Sequence, residues 1–170
     1  GGLSDLAGVY RSQGKAAKAE PLAARALALD QARFGPDHPR VAAAASLLAA
    51  VRHELGRWEE AETRFRRSLA IREKALGPEH PDVSDSLNGL AGLYKSQGRY
   101  AQAEALFRRA LAIDEKAYGR DHLTVAEDQC GLAGLFKEQG MYAEAEVLYQ
   151  RALAVTEKAL GSDHPAYATL

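Results

Sequence analysis

Apolar residues recur at steps of three and four along most of the chain, and the runs come in pairs. Val83, Leu87, Leu90, Ala91 and Tyr94 form one stripe; Ala103, Leu106, Phe107, Ala110, Leu111, Ile113 and Ala117 form the next. That spacing places each set on one side of an α-helix, so the pattern predicts two amphipathic helices. Pro81 suits the first residue of the first helix, where a missing N–H costs nothing. Asp82 and Asp85 complement the dipole of its first turn. Gly98 is expected to stop this helix in a left-handed conformation, and Gly119 to end the second. Helices of about 15 and about 19 residues would run roughly 22 to 29 Å at 1.5 Å per residue. A turn at Gly98 makes them antiparallel neighbours.

The pair repeats. Gly35, Gly77, Gly119 and Gly161 stand 42 residues apart, each opening a Gly-x-x-His connector. Units of this length stack into solenoids. The expected organisation is one array over 1–170, with units at about 1–34 (partial), 35–76, 77–118 and 119–160, and the start of a further helix at 161–170. Small residues recur where helices must approach: Ala7, Ala49, Ala91 and Ala133 in the first helices, Ala19, Ala61, Ala103 and Ala145 in the second. Trp58, Tyr100 and Tyr142, then Phe65, Phe107 and Tyr149, are expected to fill the space between, since alternating large and small positions specify one packing. The first unit has Ala16 and Ala23 at those aromatic positions, and Pro21 is expected in the first turn of its second helix. The array begins and stops in mid-repeat, as a piece of a longer protein would, with Gly1-Gly2 read as a cloning remnant.

Composition narrows the function classes. A hydrophobic fraction of 46% is ample for a core, and a net charge of -1 with a pI near 6.6 argues against a general nucleic-acid binder. The single cysteine, Cys130, rules out an internal disulfide framework. No apolar run approaches the roughly 20 residues of a membrane span, and the opening residues lack the charged-then-apolar pattern of a targeting segment, which a longer parent chain could carry upstream. A cytoplasmic protein without membrane contact is expected.

The histidines His38, His80, His122 and His164, each preceded by an acid (Asp37, Glu79, Asp121, Asp163), suggest a metal row. Metal ligands must converge within about 2.0–2.2 Å of one point. Equivalent residues of stacked helices stand of order 10 Å apart. The histidines are therefore read as inter-repeat turns and helix starts, and no metal or other cofactor is expected. No nucleophile elbow, P-loop or paired-cysteine motif is present, and Cys130 and His53 lie two repeats apart, so the chain is not read as an enzyme. Glu62 with Arg66 and Glu104 with Arg108 are spaced as surface pairs of one helix.

Leu90-Ala91, Tyr94, Gly98-Arg99-Tyr100, Ala103, Phe107 and Ala110-Leu111 together resemble the tetratricopeptide repeat (TPR) motif. The fourth unit matches through Leu132-Ala133, Phe136, Gly140-Met141-Tyr142, Ala145, Tyr149 and Ala152-Leu153, whereas the second departs at Arg52 and Ser68. The family period is about 34 residues. The extra residues lengthen the second helix by about two turns and add the connector, a variant similar to the repeats of kinesin light chains. The resemblance implies an all-α, right-handed α-solenoid of antiparallel helix pairs, a TPR superhelix whose first helices line a concave face.

Repeat register then gives the inward rows. They are Ser4, Ser46, Asn88 and Cys130; Gly8, Ala50, Gly92 and Gly134; and Arg11, His53, Lys95 and Lys137. Glycine inside a helix costs nearly 1 kcal/mol against alanine. Three units accept that cost at one position, either because a neighbouring helix packs closely or because a ligand backbone does. The cations also complement helix C-termini. These rows predict a groove with a small-residue floor and a basic edge. The expected function is a protein–protein interaction module, part of a larger scaffold or sensor, that takes an acidic peptide or partner segment. The alternative is a structural array that spaces or oligomerises other domains, with weak self-association through its open ends. Kinesin light chains bind peptides with an aromatic residue among acids, and their first helices often carry paired asparagines. Only Asn88 matches that feature; Gly89, Ser46-Leu47 and Cys130-Gly131 depart from it.

Overall fold

The computed structural model describes residues 2–160, so the expected helix start at 161–170, with Gly161 and His164, lies outside the described residues. The chain divides into two compact units, Gly1–Leu93 and Tyr94–Leu170. The first holds α1 (Gly2–Ser12), α2 (Ala16–Phe34), α3 (Pro39–Glu54), α4 (Trp58–Leu76) and most of α5 (Pro81–Ser96). The second holds the end of α5, then α6 (Tyr100–Tyr118), α7 (Leu123–Glu138) and α8 (Tyr142–Leu160). Among the described residues there is no strand. The chain is an all-α helical-repeat solenoid, with first helices of 16 residues and second helices of 19 in the complete repeats.

The boundaries follow from the signals in the sequence. Gly98 adopts φ +71°, its N–H bonds the Lys95 carbonyl, and the Arg99 N–H reaches back to Tyr94 O at 2.9 Å. This left-handed close satisfies the last carbonyls of the helix. Each second helix ends differently. Gly119 takes φ 83°, ψ 159°, a conformation essentially open to glycine alone. The chain then reaches His122, whose Nδ1 accepts a hydrogen bond from the Thr124 N–H at 3.2 Å. His38 and His80 do the same for Arg40 and Asp82, each at 3.1 Å. His38, His80 and His122 thus act as helix N-caps, and Phe34 and Tyr118 stack on two of them at 4.9 and 4.6 Å. The preceding acids have their own role: Asp37 binds Lys74, and Asp121 binds Lys158, each 37 residues on. No group of three or more potential metal ligands exists among the described residues.

In the first unit the helices pack in sequence, α1 on α2, α2 on α3 and α3 on α4. Ala7, Ala49, Ala19 and Ala61 are fully buried, as the small-residue rows require. Ser68 of α4 bridges Ser46 of α3 (2.7 Å) and Ser86 of α5 (2.9 Å), and the buried Arg72 donates to Ser86 Oγ at 3.0 Å and Asp82 O at 2.6 Å. The departure at Ser68 therefore belongs to a polar seam. In the second unit α7 packs against both α6 and α8. The Arg66–Glu62 and Arg108–Glu104 pairs form at 2.9 and 2.8 Å.

Three expectations need correction. Trp58 is 44% exposed and Tyr142 68%, so these rings do not fill the core. Each opens its helix, where the packed face ends and less of a ring is covered; Tyr100, which opens α6, is half-buried. Phe65 and Phe107, further along, are buried. Ala117 is exposed rather than part of the buried stripe of α6. Pro21 lies in the second turn of α2, which begins at Ala16, so it removes an interior backbone bond.

Candidate functional site

The candidate surface is the set of faces presented by the first helices. On α1, Ser4 and Gly8 are half-buried and Arg11 is exposed. The Arg11 Nε donates to Glu54 Oε1 at 2.9 Å. On α3, Ser46, Ala50 and His53 are half-buried, and the Ser46 hydroxyl is turned into the polar seam. On α5, Asn88 and Gly92 are half-buried.

An added Cβ at Gly8 or Gly92 would meet no heavy atom within 4 Å among the described residues. Close packing of a neighbouring helix is not the reason for glycine there. The tight approach falls at different glycines: a Cβ at Gly89 would lie 2.3 Å from Phe65 Cε1, and one at Gly131 2.9 Å from Phe107 Cε1. The first such pairing reverses the sizes, with Ala23 in the core and Leu47 packed beside it. This exchange of large and small was legible in the sequence as Ala23 with Leu47, Phe65 with Gly89 and Phe107 with Gly131. Since Gly92 faces open space, Gly92→Ala is expected to raise stability by up to about 1 kcal/mol in urea unfolding, through helix propensity alone.

The second unit brings several groups together. Gly134 leaves room where a Cβ would stand 3.4 Å from Lys95 Nζ and 3.6 Å from the Tyr149 hydroxyl. Lys95 is held by Glu138 at 3.4 Å. Lys137 is exposed and lines an open cavity of about 470 Å³ on α8 with Tyr142, Ala145 and Tyr149. Burial, then the neighbouring Cys130 and Glu138, push the Tyr149 hydroxyl above its ordinary pKa. Burial, then Glu127, does the same to the half-buried Cys130 thiol, which favours the unreactive protonated form. The face therefore presents an ammonium and a neutral phenol over a backbone without a side chain. Those are donors for an oxyanion, not the parts of a nucleophilic centre. Sequence reasoning missed Tyr149 as a member of this face; its counterparts Phe65 and Phe107 carry no hydroxyl.

No helix among the described residues is long and apolar enough to cross a membrane. The tetratricopeptide repeat profile matches residues 2–74, 40–116, 86–158 and 129–170. A comparison with curated proteins gave no match. Among solved structures, a Podosopora anserina protein described by its kinesin light chain nearly identical TPR-like repeats is similar at TM-score 0.78 and 27% identity, covering 99% of this chain and 79% of that one. That structure is of a substituted form of the protein; a second structure of those repeats gives the same score and identity with 80% of that chain covered. BtubC (BKLC) from P. vanneervenii is similar at TM-score 0.77 and 25% identity; 96% of this chain aligns to 65% of that one. Tetratricopeptide repeats mediate protein–protein interaction or scaffolding and are typically non-catalytic. The chain belongs to the tetratricopeptide repeat family, and its repeats are of the kinesin-light-chain-like type.

Proposed function

We propose that the chain is a protein-interaction module whose first-helix faces bind a partner segment carrying acidic side chains. The observation that carries this reading is the convergence of Lys95 Nζ and the Tyr149 hydroxyl over the side-chain-free Gly134. A carboxylate placed there would accept from both donors while the peptide backbone approaches the glycine. Lys137 adds a second, exposed cation. Gly8, Ser4, Ala50 and Gly92 keep the corresponding faces of the first unit low and accessible. Arg11, His53, Ser46, Asn88 and Cys130 complete the proposed contact set. Arg11 and Lys95 already hold acids, Glu54 and Glu138, which a partner carboxylate would displace. Exchanging one carboxylate for another on these solvent-reached cations changes little energy, so affinity comes from several modest contacts and weakens with salt. A cytoplasmic setting suits this role.

The double variant Lys95→Glu/Lys137→Glu is expected to abolish binding of a fluorescein-labelled Glu- and Asp-containing peptide in fluorescence anisotropy. Its melting temperature should stay within about 2–4 °C of the parent, as for surface substitutions. Unchanged affinity would remove the proposal. A second reading, assembly of copies, rests on the exposed Met141, Tyr142 and Val147 of the α8 side; concentration-dependent light scattering with indifference to the peptide would favour it.

A further inference from the structure

At two of the positions where the second repeat departs from the others, it puts an arginine in place of a large apolar residue. Arg52 stands where the other repeats have Tyr10, Tyr94 and Phe136, and Arg64 where they have Leu22, Leu106 and Leu148. Tyr94 and Phe136 are buried, so this register is a core position. In the first unit both arginines line one open cavity of about 330 Å³, bounded by α2 and α4 and floored by Val41 and Ala45 of α3. Arg67 and Glu60 line it too.

The charges around it are unevenly satisfied. Arg52 is fixed by Glu60 at 2.7 Å and Glu20 at 3.4 Å. Arg67 is held by Asp37 and, at 3.4 Å, by the Pro36 carbonyl. The Arg64 Nε is shielded from solvent and has no hydrogen-bond partner among the described residues. Burial, then repulsion from Arg52, lowers the Arg64 pKa from its usual value, against the pull of Glu60. Arginine nonetheless stays protonated in proteins, so this repeat carries a half-buried cation where the others have leucine. Three guanidiniums and one carboxylate line the cavity, an excess of two positive charges. Adding the ion-pair partners Glu20, Asp37, Arg57 and Lys74 leaves the same excess.

We propose that this cavity is an anion site for a phosphate group, with Arg64 and Arg67 as its charged donors and Arg52 as a fixed source of positive potential. The planar guanidinium presents parallel N–H groups matched to phosphate oxygens. A phosphate dianion neutralises the excess, whereas a single carboxylate would leave half of it. Binding gives the stranded Arg64 the partner it lacks. The site is separate in residues from the proposed peptide face.

Isothermal titration calorimetry on the 170-residue chain, at fixed ionic strength, tests this with inorganic phosphate and with a phosphoserine peptide beside its unphosphorylated form. Saturable phosphate binding is expected, with chloride giving none. In the Lys95→Glu/Lys137→Glu background, a phosphoserine peptide that binds more tightly than free phosphate would identify a protein-borne source; equal or weaker binding would identify a free phosphate compound. Arg64→Leu, which restores the residue of the other repeats, should keep the circular dichroism spectrum and weaken phosphate about tenfold or more, as loss of a charge-assisted hydrogen bond does. Arg64→Gln gives the same readout should the leucine variant not fold. Lys95→Glu/Lys137→Glu should bind phosphate as the parent does, which separates this site from the peptide face. Phosphate binding unaffected by either Arg64 variant, or matched by chloride, would overturn the assignment.

Discussion

Gly89→Ala is expected to destabilise the protein by about 1–3 kcal/mol, the range for overpacking a well-filled core. The sign is the informative part, because alanine in a helix interior otherwise gains nearly 1 kcal/mol over glycine. The new Cβ would lie 2.3 Å from the Phe65 ring, which is itself only 3% exposed and cannot swing into water. Gly131→Ala should cost less, since its contact with Phe107 begins at 2.9 Å. Phe65→Ala alone should cost about 3–5 kcal/mol through the cavity it leaves. Combining it with Gly89→Leu reproduces the Ala23 and Leu47 arrangement of the first interface, so the double variant should recover part of the loss. That non-additivity is the mark of direct contact. Urea unfolding midpoints of the single and double variants measure it. A stabilised Gly89→Ala, behaving like Gly92→Ala, would show that the second helix of one repeat does not press on the first helix of the next at this point.

Arg72→Ala is expected to be the other large loss, about 3–5 kcal/mol, the range for breaking a buried charged network. Arg72 is 6% exposed and donates to Asp82 O and Ser86 Oγ while its Nη1 lies 3.4 Å from Asp85 Oδ2. Truncation removes the packed stem and the guanidinium bonds to Asp82 O and Ser86 Oγ, leaving Ser68 as the side-chain partner of Ser86. Arg72→Lys should lose less, keeping a charge but not the fork. Urea unfolding of the two variants decides the point: a change within about 0.5 kcal/mol, as at an ordinary surface position, would contradict the polar seam.

Much of the fold was legible because the same signals recur in every repeat. Pro81 and Gly98 bracket α5 to within a residue or two, and Ala7, Ala19, Ala61, Ala91 and Ala103 are all fully buried. The histidine connector was placed correctly as a helix start, but its mechanism was not visible. A cap depends on Nδ1 meeting an N–H two residues on, and that is a matter of backbone geometry. Trp58 and Tyr142 misled because periodicity assigns a face and says nothing of where a helix end leaves that face uncovered. The candidate site was legible as rows, not as contacts. Gly8 and Gly92 face open space while Gly89 and Gly131 take the close approach, a distinction of one step around the helix. Arg11 and Lys95 reach acids on another helix, Glu54 and Glu138, which no pairing rule within a single helix reveals.

Amide chemical-shift mapping of the isotope-labelled chain, titrated with the acidic peptide, tests the central reading most directly. Perturbations should gather at the backbone of Gly92 and Gly134 and around Lys95, Lys137 and Tyr149, with the outer residues of α4 and α6 unmoved. Shifts confined to those outer faces, or a spectrum that saturating peptide leaves unchanged, would contradict the assignment of partner binding to the first helices.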